Sequence, residues 1–172
     1  MIKDRKIEEF LNDVASSKPT PGGGAIAALT GAEAAGLVEM VCNLTKPYGS
    51  LAKTAEEAKK LRRDLLNLAD EDVRAFDRVI FAYKLKDNEE IKNSLNRAIE
   101  VPEKVKKLSG RVEELAKEVS QIGNKNAISD AKTAVHLAVA ARKSADENIE
   151  VNKHSLRLCL KRSLVKVPVI TT

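Results

Sequence analysis

The run Lys18-Pro19-Thr20-Pro21-Gly22-Gly23-Gly24 interrupts the chain near its start, and an alanine-rich helical pattern follows from residue 25 to residue 45. Proline lacks the N–H that a helix interior needs, while glycine allows positive φ and close approach of backbone to a neighbour or ligand. No helix crosses such a segment undisturbed, so the chain must turn here and start again. A loop feeding a helix in this way also gathers free backbone N–H groups and the positive end of the helix dipole, which suits an anion. Taken alone, the segment reads first as an ordinary connector between helices. Its meaning depends on what the rest of the chain brings to it.

The rest of the chain is helical in pattern. Ile7, Phe10, Leu11 and Val14 make an apolar face before the loop. The second helix carries Ile26, Leu29, Leu37, Met40 and Leu44 on one face and breaks at Lys46-Pro47-Tyr48-Gly49. A third holds Leu61, Leu65, Leu68, Phe76, Val79 and Tyr83 at three- and four-residue spacing. Lys86-Asp87-Asn88 predicts a turn, with Asn88 as N-cap ahead of Glu89 and Glu90. The fourth helix runs from about residue 89 to 122, and Pro102 is expected to kink or divide it. Gly123-Asn124-Lys125-Asn126 closes it, and a fifth runs from about residue 127 past residue 160. No stretch alternates as a strand does. The fold class is all-α: an up-and-down bundle of about five long helices with a Pro/Gly-rich loop before the second. No repeat or linker divides residues 1–172, so one helical domain is expected, with residues 153–172 as a basic C-terminal extension.

Composition narrows the function classes. Only 3% of the 172 residues are aromatic and none is Trp, so the core must be Leu, Val, Ile and Ala in closely packed helices. The net charge of +5 would admit an acidic ligand, but opposite charges alternate along most of the chain, as on solvated helix faces. A nucleic-acid partner is not expected. Cys42 and Cys159 lack pairing or metal-ligand spacing and read as buried thiols of a reducing, cytoplasmic setting. Residues 25–45 are long enough to span a membrane, but Glu33, Glu39 and Asn43 interrupt them, and no membrane association is expected.

Three carboxylates stand where a core residue belongs. Asp72 lies four residues from both Leu68 and Phe76, Glu33 lies between Leu29 and Leu37, and Asp130 shares a face with Ala127, Ala134, Leu137 and Ala141. An ionised carboxylate facing a core is costly unless it is paired, so each needs a partner or a task. For each alone an interhelical ion pair suffices; the three together point to a polar cavity between helices. A di-iron site would need Glu-x-x-His pairs, but Thr133 and Val151 stand three residues before His136 and His154, so no metal is expected. Ser129, Asp130 and His136 do not share the face that a nucleophile set requires.

These residues resemble a known family. Pro19-Thr20-Pro21-Gly22-Gly23-Gly24 before an Ala-rich helix ending in Met40-Val41 and Leu44-Thr45 is similar to the cyclodeaminase domain of formiminotransferase-cyclodeaminase. An Asp-x-Asp-x-x-Ala-aromatic element is met by Asp70, Asp72, Ala75 and Phe76. A Gly-Asn…Ser-Asp element is met by Gly123, Asn124, Ser129 and Asp130, and an Asn-x-x-x-Asn element by Asn148 and Asn152. The four motifs occur in order from Phe10 to Asn152. Ala25 replaces the usual Ser after the glycines, and Glu33 stands where relatives carry small or apolar residues.

The resemblance implies a dimer-forming helical enzyme that converts 5-formimino-tetrahydrofolate to 5,10-methenyl-tetrahydrofolate and ammonia. Some stand-alone relatives act as methenyltetrahydrofolate cyclohydrolases, which is the alternative reaction the resemblance implies. A tetrahydrofolate derivative, free or polyglutamylated, would be the substrate, with no separate cofactor and a homodimer as the assembly. A non-catalytic folate-binding bundle is the other class. A carboxylate able to carry a proton serves the cyclisation and stabilises the cationic product. Asp72 is the first choice for that role, with Asp130 and Asp70 behind it. Gly22, Gly23 and Gly24 would hold the substrate, and Asn124, Asn126, Ser129, Asn148 and Asn152 would complete its polar contacts.

Overall fold

The computed structural model describes residues 1–164, with side chains to Lys161. The Arg162 side chain and Lys166 of the expected basic extension lie outside the described residues. A 3-10 turn at Ile2–Asp4 precedes α1 (Ile7–Val14), α2 (Gly23–Leu44), α3 (Ala52–Leu85) and α4 (Asn88–Ile122); a second 3-10 turn at Lys125–Ala127 leads into α5 (Ile128–Leu164). No strand occurs among the described residues. The architecture is the all-α bundle that the helical periodicity demands.

The helix ends follow local chemistry. Asp87, rather than Asn88, caps α4: its Oδ1 accepts the N–H groups of Glu89 at 2.9 Å and Glu90 at 3.2 Å. Asn88 is already helical. Lys86 closes α3 in the left-handed region at φ 57°, a position that normally favours glycine. Pro102 does not divide α4, which runs through it unbroken. The carbonyl that Pro102 deprives of its helical donor is that of Ala98, four residues back. The Asn152 side chain on α5 fills the vacancy, its Nδ2 donating to Ala98 O at 2.7 Å.

α2 lies at the centre, packed against α3, α5 and, across the bundle, α4. Its core face is made of small residues: Ala25, Ala28, Gly31, Ala32 and Ala35 are buried, with Val38 and Cys42 further along. Around the first half of α2 the surrounding helices approach too closely for larger side chains. At Gly31 a Cβ would stand 2.7 Å from Ser109 Oγ on α4 and 3.3 Å from the Leu65 methyls on α3. The larger residues Ile26, Leu29 and Leu37 are only half-buried, and Met40 and Leu44 are exposed. Glu33 sits on this outward face and is exposed, so the expectation that it faces the core is wrong. Its apolar neighbours Leu29 and Leu37 mark the outside of α2.

Leu65, Leu95 and Leu115 are fully buried on α3 and α4. Each contributes about 1.5–3 kcal/mol by leaving water. Ion pairs such as Arg142–Glu113 and Lys106–Asp146 join the outer edges of α4 and α5. Past the start of α2, the far ends of the long helices form a second, smaller core from Val79, Ala82, Ile91, Leu95, Ala98 and Cys159. α2 thus begins partway along its neighbours, and the space above its first turn is left for the loop at residues 19–24.

Candidate active site

That space is a cavity of about 150 Å³ lined by Pro19, Thr20, Gly22, Gly23, Gly24, Asp72, Ala75, Phe76, Ala98, Asn148, Val151 and Asn152. The loop crosses over to α3, where Thr20 Oγ1 stands 3.5 Å from Asp77 Oδ1. Gly22 is the N-cap of α2, and Gly23 and Gly24 are its first helical residues. None of the three has positive φ; Gly49 is the glycine that does. Glycine is required at residue 24 for space instead, since a Cβ there would lie 2.5 Å from the carboxyl carbon of Asp72. The missing side chain lets α3 lay a carboxylate directly against the first turn of α2.

Two influences act on that carboxylate in opposite directions. Burial removes water and disfavours the ionised form, while the Ala25 backbone N–H at the positive end of α2 favours it. Burial is the larger, and the Asp72 pKa is pushed up to about 6. The group is therefore mostly ionised at neutral pH and can still accept a proton. No Lys or Arg among the described residues pairs with it. The ion pair expected of a carboxylate in an apolar stripe is absent.

The two asparagines approach from α5. Asn148 Nδ2 donates to Ser144 O at 2.7 Å, and its amide lies 3.8 Å from where a Gly23 Cβ would stand. Asn152 is anchored on Ala98 O, which fixes its amide at the cavity wall. Ala98 and Val151 were not anticipated as lining residues; the available signal was Pro102, whose missing N–H exposes the Ala98 carbonyl.

Six of the sequence-derived site residues thus meet in one place: Gly22, Gly23, Gly24, Asp72, Asn148 and Asn152. The others do not join them within the chain. Asp70 turns to another side of α3, where its Oδ1 accepts the Ile2 N–H at 2.7 Å; its Oδ2 is buried without a partner. Asn124 is a latch at the far end of α2. Its Nδ2 donates to Leu44 O at 2.6 Å, its N–H to Thr45 Oγ1 at 3.0 Å, and its Oδ1 accepts the Asn126 N–H at 2.9 Å. Asn126 and Ser129 are exposed beside it and Asp130 is half-buried. Leu44 and Gly24 are twenty residues apart on one helix, so this corner lies about 30 Å from the cavity. A larger groove of about 440 Å³ between α3 and α4 is lined by Arg74, Arg78, Arg97 and Lys104 with Glu71 and Glu100. It contains none of the residues expected at the site.

The bundle lays a carboxylate of α3 that has no cationic partner among the described residues against the first turn of its central helix. Comparison with known proteins supplies the family. The family model for formiminotransferase-cyclodeaminase matches residues 6–157, and the chain belongs to this family of folate one-carbon enzymes. A methenyltetrahydrofolate cyclohydrolase from Methylorubrum extorquens is 41% identical over 172 aligned residues, covering 91% of this chain and 83% of the relative. The formimidoyltransferase-cyclodeaminase of Rattus norvegicus is 27% identical over 88% of this chain, which spans 31% of that longer protein. The crystal structure of a formiminotetrahydrofolate cyclodeaminase from Thermotoga maritima superposes with a TM-score of 0.84 at 31% identity, covering 95% of this chain and 87% of the other.

Proposed function

We propose that the chain is a methenyltetrahydrofolate cyclohydrolase, with Asp72 as its proton carrier. The observation that supports this is the Asp72 carboxylate, without a cationic partner among the described residues, half-buried against Gly24 and Ala25, with its pKa pushed up to about 6. Its partly ionised state suits a reaction that begins by taking a proton and ends by giving one back. The 41% identity to a cyclohydrolase over nearly the whole chain favours this reaction over the cyclodeaminase reaction that the motifs alone suggested.

In this reading the cationic methenyl carbon of the substrate lies against the Asp72 carboxylate, which stabilises its charge. Asp72 takes a proton from water as the oxygen bonds to that carbon. The proton then passes to N5 of the folate as the carbon–N5 bond breaks, leaving the carbon on N10 as a formyl group. One proton from the water is released to solvent, since the positive charge of the substrate is lost. Asn148 and Asn152 supply amide groups to the ring edge. The same carboxylate serves the cyclodeaminase reaction, in which N10 attacks the formimino carbon and protonated ammonia leaves. The likeness to the Thermotoga maritima cyclodeaminase keeps that second reading in view.

The two reactions separate in one assay pair. A cyclohydrolase consumes the methenyl absorbance of 5,10-methenyl-tetrahydrofolate without ammonia, whereas a cyclodeaminase generates it from 5-formimino-tetrahydrofolate with one ammonia per turnover. Asp72→Asn should abolish whichever activity is present. Equal turnover in wild type and variant would remove Asp72 from the mechanism.

A further inference from the structure

The Asp72 cavity is small for the molecule it would take. Its volume of about 150 Å³ falls short of the roughly 300–1,000 Å³ that enclose a drug-sized ligand. The groove of about 440 Å³ between α3 and α4 adjoins it and brings the space into that range. Ala75 lines both spaces, so a methyl group stands where they meet. On α4, Ala98 of the cavity is followed one turn later by Val101 of the groove.

The cations of this groove lack the partners that others on the bundle have. Arg62, Arg111, Arg142, Lys106, Lys117 and Lys153 each hold a carboxylate. Arg74, Arg78, Arg97 and Lys104 form no ion pair among the described residues, although Glu71 and Glu100 line the same groove. Four cations against two carboxylates leave the groove positive. Arg74 and Arg78 stand one turn apart on α3, a spacing at which like charges destabilise a helix. Arg78 and Arg97 also line the next groove along, so they stand together across the α3–α4 seam. An anion seated between them relieves the repulsion, and the planar guanidinium fork matches a carboxylate in geometry and charge.

A folate carries such an anion. Its reacting carbon lies at the pterin end, and its p-aminobenzoyl-glutamate arm ends in two carboxylates. Arg78 lies six residues beyond Asp72, about 9 Å along α3. We propose that the α3–α4 groove is the anion subsite of the reaction site. With the reacting carbon at Asp72, the arm leaves the cavity past Ala75, and Arg78 and Arg97 bind the glutamate carboxylates from opposite sides. The two guanidinium groups touch neither the reacting carbon nor Asp72, so they act on binding and not on the chemical step. This inference rests on the reading of the Asp72 cavity as the reaction site.

The test compares two stable ligands by calorimetry: 5-formyl-tetrahydrofolate and 5-formyl-tetrahydropteroate, which lacks the glutamate. Wild type should bind the folate roughly tenfold more tightly than the pteroate. Arg78→Gln/Arg97→Gln should weaken the folate by that factor and leave the pteroate unchanged. Both arginines are exposed, and helical circular dichroism checks that the variant is folded. Lys60→Gln, an exposed cation of α3 outside the groove, should change neither affinity. In turnover, the groove variant should raise KM for the folate substrate and leave kcat as it was.

Equal wild-type affinity for the two ligands, or a variant that keeps the preference for the folate, would overturn the subsite. So would an equal loss for both ligands, or a loss in Lys60→Gln as large as in the groove variant. The expected binding pattern without turnover of either the methenyl or the formimino substrate would count against the proposed reaction and leave the subsite standing. A wild type that binds neither ligand would overturn the folate reading and the subsite with it.

Discussion

Replacing Asp72 by Asn should make the protein more stable at neutral pH while removing its activity. The Asp72 carboxyl rises from its ordinary 3.8 to about 6 on folding. Between those values the folded state holds a proton that the unfolded chain has released, so stability falls as pH climbs through that window. Each pH unit is worth about 1.4 kcal/mol, which makes the ionised group about 3 kcal/mol unfavourable to the folded state above pH 6. Asn has nearly the same shape, carries no charge and can still accept the Ala25 N–H. The variant should match the wild type near pH 4 or below and exceed it by up to about 3 kcal/mol at pH 7.5. For a chain of this length that corresponds to a melting shift on the order of 5–10 °C. The assay is urea unfolding followed by helical circular dichroism at pH 4, 6 and 7.5, at one protein concentration so that any self-association contributes equally. Asp13, Glu57 and Glu113 are held below their usual pKa by Arg and Lys partners and lose stability in acid, but they do so in both proteins and cancel in the difference. A variant less stable than wild type at pH 7.5 would show that the first turn of α2 stabilises the carboxylate more than burial penalises it, and a difference that does not change with pH would show that the two cancel; either refutes the raised pKa.

Other consequences are as direct. Turnover that depends on ionised Asp72 should fall about tenfold per pH unit below pH 6; a flat profile down to pH 4.5 would assign the proton to another group. Gly24→Ala places a methyl in the Asp72 carboxylate and should cost about 1–3 kcal/mol in urea unfolding together with most of the activity. Gly22→Ala, whose Cβ meets nothing nearer than 3.7 Å, should leave stability almost unchanged. Asn152→Ala orphans the Ala98 carbonyl and should cost about 1–3 kcal/mol, but much less in a Pro102→Ala background, where the backbone N–H regained at that position donates to the same carbonyl. Additive losses in that double-mutant cycle would sink the link between Pro102 and Asn152. Lys86→Gly relieves a left-handed φ of 57° and should add about 1 kcal/mol to the unfolding free energy.

The long helices were legible because their breaks are chemical: Pro and Gly at residues 19–24, Lys46-Pro47, the turn at Lys86-Asp87-Asn88 (whose cap is Asp87, one residue earlier than expected), and Gly123 before Asn124. Asp72 was legible for a related reason. On α3 the large apolar residues Leu61, Leu65 and Leu68 do face the core, so a carboxylate in their row stands out against a valid background. The same rule misplaced Glu33, because on α2 the large residues face outward and the alanines face in. Periodicity reports that a helix has two faces; which face is inside depends on how closely its neighbours approach. A helix enclosed by three others buries mainly Ala and Gly over its first half, with Val38, Val41 and Cys42 beyond, and a hydrophobicity pattern undervalues Ala and Gly.

The motif residues divide along the same line between what sequence order conveys and what it hides. Asn148 and Asn152 follow each other by one helical turn and necessarily share a face, so their convergence on the cavity needed only α5 to pass that point. Asp70 and Asp72 are two residues apart and therefore point to different sides of α3, which is why only one of the pair reaches the site. Asn124 illustrates the remaining difficulty. Its three hydrogen bonds explain its presence as a latch between α2 and the start of α5 without any ligand. Pro102 works by the same logic at the other end. The residue that breaks the local helical rule exposes a carbonyl, the carbonyl fixes Asn152, and Asn152 lines the cavity that holds Asp72. In this bundle the departures from helical ideality at Gly24, Asp72 and Pro102 all converge on one cavity, and the stability they forgo is the measure of what the site requires.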